Sequence, residues 1–395
     1  MTGAHDPRVS GRDFVVFSDD WGRHPSSCQH LFRRLASGNH VLWVNTIGTR
    51  VPTFSRADAR RVAEKVGEWM RPAEAAAPGP AGVPVQVVRP WMTPFDRFAP
   101  LRRLNERSIA SAIRKARITR ASAPFLVTTI PNVAGLVGRL GETASVYYCV
   151  DEFSEWPGAD RRAMLEMEGE LLRRVDLVVA TSEALFESKS AHHARVRLLR
   201  HGVDWEAFHE GRGTVPDALA ALARPRVGFP GLVDARLDAS LVEQLAGALP
   251  DVTFVFVGPR QLPPGPLDAR ANVRFLPAVP YEDMPAVLRA LDVGFLPYLE
   301  NRLTERINPL KIREMMASGI PIVATPIPEV RRLGDLVRGP RDLAEWIAAV
   351  RAALTEGRSR AGERAEAVRD DGWDARAREF SRYLREAEAT ARMAR

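Results

Sequence analysis

The sequence holds very little cysteine, which excludes several classes of protein. Cys28 and Cys149 are its only two cysteines. They are too few for a disulfide scaffold, and no set of Cys and His has the spacing of a structural zinc site. No apolar run approaches the ~20 residues that a transmembrane helix needs. The segment Met1–Val9 is polar and lacks the apolar core of a secretory signal. We therefore predict a cytoplasmic protein that holds no metal.

Lysine is scarce as well, because Arg supplies nearly all of the positive charge. Only four of the 56 basic residues are lysines, and the net charge is +7. The charge is also uneven, since residues 1–120 hold 20 Lys and Arg against 10 Asp and Glu. A basic first third indicates an anionic partner for that part of the chain. An Arg-rich composition would explain the amount of Arg but not its position.

Residues 101–120 concentrate this charge on one predicted helix. Seven basic residues alternate there with Leu and Ile side chains. Such a face fits an anionic membrane surface or a lipid-linked diphosphate, so a peripheral position on the inner face of the membrane is compatible with it. A solvated helix face is the alternative. We expect no nucleic-acid partner, because no aromatic-rich strand platform or zinc module accompanies the charge.

Short apolar runs alternate with helical stretches, which predicts an α/β fold with parallel sheets covered on both faces. The series restarts near residue 226, so two doubly wound, Rossmann-like domains are expected. We place them at 1–204 and 205–371, with a terminal helix at 372–395 that packs back on the first domain. The Pro- and Ala-rich segment Pro72–Pro84 is predicted as a surface loop. The predicted strands are Asp13–Ser18, His40–Asn45, Val85–Arg89, Phe125–Thr129, Ser145–Val150 and Val175–Ala180, then Arg226–Gly231, Val252–Gly258, Val273–Leu276, Val293–Leu296 and Pro321–Thr325.

The segment Asn308–Thr325 carries the clearest chemical signal. Asn308 is a good N-cap, and Pro309 fits the first helical position. A helix that starts there presents free N–H groups and the positive end of its dipole to an anion. Lys311 adds a full charge, and Glu314 lies on the same face, where a carboxylate can accept bonds from ribose hydroxyls. Phosphate and ribose together indicate a nucleotide; an ordinary capped helix with an ion pair is the alternative.

Several segments, taken in order, resemble a known family of enzymes. They are GVDWEAF at 202–208, VGFPGLVD at 227–234, FVFVG at 254–258, VRFLP at 273–277, DVGFLP at 292–297 and the segment 308–325. Together they are similar to the GT-B-fold glycosyltransferases, in particular glycosyltransferase family 4. The segments DDWGRHPSS and YYCVDEFSEWPG resemble the bacterial cell-surface polysaccharide members. The resemblance implies two Rossmann-like domains that face a cleft, a nucleoside-diphosphate sugar as donor and a hydroxyl-bearing acceptor.

The resemblance also implies that the second domain binds the donor. Glu314 would bind the ribose hydroxyls, and Lys311 with the neighbouring amides would hold the pyrophosphate. Gly231 would let the backbone approach the phosphate, and Leu276–Val279 would lie beside the nucleobase. UDP or GDP is the expected nucleotide, with no cofactor. The full implied donor set is Gly231, Arg236, Leu276, Val279, Arg306, Asn308, Pro309, Leu310, Lys311 and Glu314.

One position departs from the family pattern. The first Glu of the E-x7-E motif, eight residues before Glu314, falls on Arg306, with Glu305 beside it. A guanidinium only donates hydrogen bonds, so Arg306 would pair with a charged sugar or with the diphosphate. Arg236 stands for the Arg/Lys pair of the family without a matching Lys.

Two loops of the first domain follow predicted strand ends and offer polar groups to an acceptor. The first loop follows strand one, and the second follows the fifth predicted strand. A carboxylate or imidazole in either loop could accept the proton of an acceptor hydroxyl. A solvated capping loop and a turn cap are the alternatives. The candidate acceptor-binding residues are Asp19, Trp21 and Arg23, and the candidate bases are Asp20, His24 and Asp151.

These expectations converge on a glycosyltransferase that moves a sugar from a nucleoside-diphosphate sugar to a hydroxyl. The acceptor would be a glycan, a lipid-linked sugar or a small molecule. We expect a hexosyltransferase-like, metal-independent reaction, because no D-x-D carboxylate cluster stands beside the donor residues. A nucleotide-sugar epimerase on the same fold and a non-catalytic partner protein are the alternatives. Arg306 would support the second of these.

Overall fold

The computed structural model describes residues 8–22, 26–46, 74–78, 83–93, 95–116 and 123–394. The chain forms two compact units. The first unit comprises residues 1–200 together with 374–395, and the second comprises residues 201–373. The limits predicted from the sequence were 204 and 371.

The described strands of the first unit form an eight-stranded sheet in the order β3-β4-β2-β1-β5-β6-β7-β8. Every residue of the strand β1, Asp13–Ser18, is buried, as expected for a strand covered on both faces. Its Phe14 pairs with Val41 on one side and with Phe125 on the other. The strands are β1 Asp13–Ser18, β2 His40–Asn45, β3 Glu74–Pro78, β4 Val85–Arg89, β5 Phe125–Thr128, β6 Ala144–Cys149, β7 Leu177–Ala180 and β8 Val196–Leu198.

One prediction about this sheet is wrong. Within the stretch Pro72–Pro84, expected to be a loop, Glu74–Pro78 forms the edge strand β3, antiparallel to β4. All the other strand pairs of this sheet are parallel. An edge strand needs a partner along one side only, so backbone pairing with β4 can hold an Ala-rich segment that lacks β-branched residues.

The described strands of the second unit form a six-stranded parallel sheet in the order β11-β10-β9-β12-β13-β14. The predicted α/β fold with two parallel-sheet units is therefore confirmed. The strands are β9 Arg226–Pro230, β10 Thr253–Val257, β11 Val273–Leu276, β12 Val293–Leu296, β13 Ile322–Ala324 and β14 Val337–Arg338.

Several of the described helices begin after a residue that favours the N-cap position. The side chains of Ser26, Asp160, Ser182 and Asp238 accept hydrogen bonds from backbone amides of the first turn that follows, as N-caps do. The described α-helices are α1 Ser27–Leu35, α2 Ala99–Lys115, α3 Arg161–Leu172, α4 Glu183–Ser190, α5 Trp205–Glu210, α6 Asp217–Ala220, α7 Ala239–Ala248, α8 Met284–Ala290, α9 Leu310–Ala317, α10 Pro328–Arg331, α11 Leu343–Glu356, α12 Ala361–Glu366 and α13 Trp373–Ala394.

The terminal helix α13 belongs to the first unit from Asp374 onward. Arg12 and Glu388 form an ion pair at 2.7 Å. The Tyr383 hydroxyl donates to the carbonyl of Leu198 at 3.1 Å. The helix α13 thus contacts a residue just before β1 and a residue of β8.

Candidate functional site

The carboxyl ends of three parallel strands in the second unit meet at one backbone junction. The amide of Gly231, just after β9, donates to the carbonyl of Val257 at 2.8 Å. The amide of Gly258, just after β10, donates to the carbonyl of Leu276 at 3.1 Å. A Cβ on Gly258 would lie 2.3 Å from the carbonyl oxygen of Gly231. Glycine therefore lets these loops pass closely at the edge where ligands bind in open parallel sheets.

Lys311, in the first turn of α9, lies against this junction. A Cβ on Gly231 would stand 1.8 Å from Cε of Lys311. Only glycine leaves the lysine side chain its present place. Burial lowers the pKa of Lys311, and Arg236 lowers it further, whereas Glu314 and Asp234 raise it. An anion at this position would restore the charge that burial disfavours.

The start of α9 corrects one sequence expectation. The N-cap is Pro309, in extended conformation and without a side-chain cap, not Asn308. Asn308 is buried and accepts a hydrogen bond from Arg313 at 2.7 Å, and Arg313 also pairs with Asp371 at 3.1 Å. The amide of Ile312 donates to the carbonyl of Pro309 at 3.2 Å. Because no side chain caps the helix, the amides of Leu310 and Lys311 are the groups that its start offers to a ligand.

Glu314 occupies the same helix one turn further on. Its side chain is buried, and burial raises its pKa. The positive charge of Lys311 lowers that pKa, Asp204 raises it, and a hydrogen bond with Tyr281 lowers it. The sequence did not indicate Asp204 or Tyr281, because both lie far from Glu314 along the chain. The hydrogen bond with Tyr281 thus holds the Glu314 carboxylate, and Lys311 lies one helix turn away.

Arg236 has an intramolecular partner. Its guanidinium donates two hydrogen bonds to the buried carboxylate of Asp234, at 2.9 and 2.8 Å. The same group lies 5.6 Å from the ring centre of Tyr298. The guanidinium of Arg236 is therefore fixed by the carboxylate of Asp234 and by the ring of Tyr298. A diphosphate would meet an arginine whose position is already fixed.

The remaining residues of the implied donor set have part of their surface exposed. Leu276 ends β11 and Val279 follows it, and each is half-buried. Arg306 is also half-buried, whereas the neighbouring Glu305 is exposed. All of them belong to the second unit, as do Gly231, Arg236 and α9.

In the first unit, the loop after β1 is organised around Asp19. Its carboxylate accepts hydrogen bonds from Ser18 at 2.8 Å, Ser26 at 3.1 Å and Gln29 at 3.2 Å. Asp19 is partly exposed, yet desolvation raises the pKa of its carboxyl more than the hydrogen bonds lower it. Asp19 is therefore committed to partners within the protein that fix the start of α1.

The other residues of this loop have different surroundings. Asp20 is exposed, and its carbonyl accepts from Gln29 at 3.1 Å. Trp21 is only 7% exposed and packs edge-on against Trp43 with ring centres 4.6 Å apart, so an acceptor would meet little of its ring. Arg23 and His24 lie outside the described residues.

The loop after β6 contains the other candidate base, Asp151, which is half-buried. Its carboxylate accepts from the amide of Glu152 at 3.1 Å. Glu152 turns the opposite way and is 1% exposed. There it meets Lys189 at 3.2 Å, and Lys189 also meets Glu168 at 2.8 Å. The strand end thus carries one accessible and one buried carboxylate.

The buried group of Lys189, Glu152 and Glu168, here called the Lys189 network, has further hydrogen bonds. Tyr147 donates to Glu168 at 2.9 Å, and Ser154 donates to Glu152 at 3.0 Å. Burial alone would lower the pKa of Lys189, but the negative groups around it outweigh burial and raise it. Sequence reasoning missed this network because its members come from separate elements.

Part of the second unit matches a known protein family. Residues 224–356 match the family described as "Glycosyl transferases group 1". A curated relative is TuaH of Bacillus subtilis (strain 168), named for a role as a teichuronic acid biosynthesis glycosyltransferase. It is 25% identical over 185 residues, which are 44% of this chain and 46% of the relative. The match thus spans about half the length of that protein.

Solved structures share the fold over nearly the whole chain. Sucrose-phosphate synthase of Thermosynechococcus elongatus has a TM-score of 0.65 at 17% identity, over 96% of this chain and 99% of its own. Anabaena HepE, solved with UDP and glucose, has a TM-score of 0.63 at 14% identity, over 94% and 99%. The trehalose 6-phosphate synthase of Burkholderia multivorans gives 0.65 at 14%, over 96% and 100%. The predicted GT-B fold and the resemblance to glycosyltransferases of this fold are confirmed.

Two features are absent from the described part of the chain. None of its helices has the length and apolar character needed to cross a membrane. No three His, Cys, Asp or Glu side chains within it are grouped so that they could hold a metal ion.

Proposed function

We propose that the protein is a glycosyltransferase whose second unit binds the nucleoside diphosphate of a nucleotide-sugar donor. One observation carries the proposal: Lys311 lies against Gly231 at the carboxyl end of β9, at the start of a helix whose next turn holds Glu314. The helix start and the ammonium suit a diphosphate. The carboxylate suits the ribose hydroxyls.

The chemistry needs negative charge to be stabilised where it develops. The bond between the anomeric carbon of the sugar and the diphosphate oxygen breaks, and the acceptor oxygen bonds to that carbon. The departing diphosphate gains charge, which Lys311 and the first-turn amides of α9 stabilise without reorganisation. We therefore propose a reaction independent of added metal, with turnover unchanged in excess chelator.

The acceptor side is assigned to the first unit. A base must take the proton of the acceptor hydroxyl as its oxygen attacks. Asp151 and Asp20 are the described candidates, because both follow the carboxyl ends of strands and are at least partly exposed. His24 is the third candidate. The acceptor is proposed to be a glycan, a lipid-linked sugar or a small molecule. Arg306 is proposed to pair with a charged sugar or with the diphosphate.

We favour UDP as the donor nucleotide, since HepE was solved with UDP; GDP is the second choice. Thermal denaturation with UDP, GDP, ADP and dTDP tests this. At a ligand concentration 100-fold above Kd, binding stabilises the folded state by about 2.7 kcal/mol. We expect one diphosphate to raise Tm for the native protein and not for Glu314→Ala.

Glu305→Ala is the matched control, because Glu305 is an exposed glutamate nine residues earlier on the chain. It should keep the full shift. If no diphosphate raises Tm, the donor site is refuted. If a diphosphate binds but no sugar is transferred to any acceptor and none is hydrolysed, the non-catalytic alternative replaces the transferase.

A further inference from the structure

The first unit contains a basic cavity that the proposed reaction does not use. It has a volume of about 430 Å³ and is lined by α2, by the turn Pro131–Leu136 and its continuation, and by the end of α3. Two acidic side chains, Glu106 and Glu170, also line it. The arginines that line it are Arg102, Arg103, Arg107, Arg114, Arg139 and Arg174.

The cavity exists because small residues lie between long ones. Ala99 and Ala110 of α2 and Gly135 of the facing turn line it together with the arginines. A Cβ on Gly135 would lie 2.0 Å from a carboxylate oxygen of Glu106, so glycine leaves that carboxylate in its present place. Glu106 is buried beneath the arginines, where Arg139, Arg102 and Arg174 attract its charge.

The positive charge is only partly neutralised. Arg174 pairs with Glu170 at 2.9 Å, and Arg102 donates to the carbonyl of Asp96 at 3.3 Å. Within the part of the chain that the structure describes, no carboxylate lies within ion-pair distance of Arg103, Arg107 or Arg114. Arg107 lies four residues after Arg103, and Arg114 lies seven residues after Arg107. This spacing puts the three arginines on one face of α2.

We propose that this cavity binds a phosphorylated ligand that carries a diphosphate or two phosphate groups. Guanidinium groups match phosphate oxygens in pairs, and the arginines exceed the acidic side chains by four. The volume lies within the range of small-molecule sites and is larger than a single phosphate needs. The ligand is either free or the headgroup of a lipid, and both present the same oxygens to the arginines.

The test is calorimetric titration with inorganic pyrophosphate at fixed ionic strength, after saturation with UDP to fill the proposed donor site. The variant is R103Q/R107Q/R114Q, which removes three charges that have no described ion pair. The matched control is R378Q/R382Q/R385Q, which removes three exposed arginines of α13 in the same unit. We expect the native protein and the control to bind pyrophosphate and the cavity variant to bind it at least about tenfold more weakly.

Two results would overturn the inference: no binding of pyrophosphate to the native protein, or equal weakening in the control variant. The same experiment distinguishes a failure of the proposed function, because the protein would then not bind UDP in the saturation step. The pyrophosphate comparison between the variants remains valid in that case.

Flotation with vesicles separates the two sources of the ligand. Vesicles of phosphatidylglycerol that bind the native protein and the control but not the cavity variant, with release by pyrophosphate, identify a lipid headgroup. Pyrophosphate binding without vesicle binding identifies a free ligand. Vesicle binding that is equal in all three proteins, together with pyrophosphate binding that is also equal, contradicts the proposal.

Discussion

Each unit places a lysine near glutamate, yet the two lysines differ in their electrostatic situation. Lys189 in the first unit has two carboxylates at 3.2 and 2.8 Å, and its pKa is raised. Lys311 in the second unit lies near Glu314 and Asp234 but also near Arg236, and burial lowers its pKa. The first lysine has its charge satisfied within the protein, whereas the second gains from an incoming anion.

The glutamates near the two lysines differ in the same way. Glu152 and Glu168 accept hydrogen bonds from Ser154 and Tyr147 in addition to those from Lys189. Burial raises the pKa of Glu314 despite the opposing charge of Lys311. The Lys189 network satisfies its charges within the protein, whereas the groups around Lys311 lie where we propose that the donor binds. This comparison can be tested by removing one group at a time.

The largest effect is expected from Lys189→Met. The substitution leaves two buried carboxylates without their counter-ion, which costs about 3–5 kcal/mol of folding free energy. Urea unfolding followed by circular dichroism measures it. A loss below about 1 kcal/mol would mean that the carboxylates take up protons or water at little cost, and the network would not be a stabilising element.

Lys311→Met should give the opposite pattern. Its folding free energy should change little, because burial already disfavours its charge. The affinity for UDP should fall about 10- to 100-fold, as expected for the loss of one charge-assisted hydrogen bond. Isothermal titration gives the affinity. Uridine, which lacks phosphate, is the control ligand, and its affinity should not change; an equal loss for uridine would show that Lys311 does not act on the phosphates.

Gly231→Ala tests the same contact from the other side. Its new methyl group would overlap Cε of Lys311 and displace the ammonium. We expect a loss of UDP affinity of about tenfold or less, since the lysine can move in part. Gly265→Ala is the matched control, because nothing lies within 4 Å of a Cβ there. If both variants bind UDP equally, the contact has no role in binding.

The smallest effect is a pH dependence. A raised pKa means that Glu314 takes up its proton on acidification at a higher pH than an ordinary glutamate, above 4.5. The protonated form accepts ribose hydroxyls poorly, so UDP affinity should fall as pH drops through that pKa. Affinities between pH 4.5 and 8 for the native protein and Glu314→Gln measure this. The variant should be weaker and should lose less affinity on acidification than the native protein. The decline that remains in the variant belongs to the terminal phosphate of UDP, whose second pKa is about 6, and a parallel decline in both proteins would remove Glu314 from the explanation.

The sequence was a good guide where one residue type decides the outcome. Runs such as VTFVFV become buried parallel strands because β-branched and aromatic residues fit a sheet covered on both faces. Lys311 and Glu314 could be singled out because helix geometry alone places them on one face. The helix that carries them begins at Leu310, one residue after the expected start.

Features that depend on the fold of distant segments were not accessible in this way. Asn308 fits the N-cap by residue type, but Arg313 competes for its side chain and Arg313 is itself held by Asp371. The Lys189 network joins residues 21 and 37 positions apart on the chain. The basic cavity needs the turn at Gly135 to face α2. Each of these requires the packing of elements, which local patterns do not encode.

The course of the chain through the two units has a consequence for its synthesis. The first unit receives α13 from residues 374–394, after the whole second unit has been made. Contacts such as Arg12 with Glu388 cannot form on the ribosome until then. The second unit can therefore complete its sheet during translation, while the first emerges early and waits with the surface that α13 will cover. A ribosome that stops near residue 373 would release a finished second unit attached to an unfinished first one.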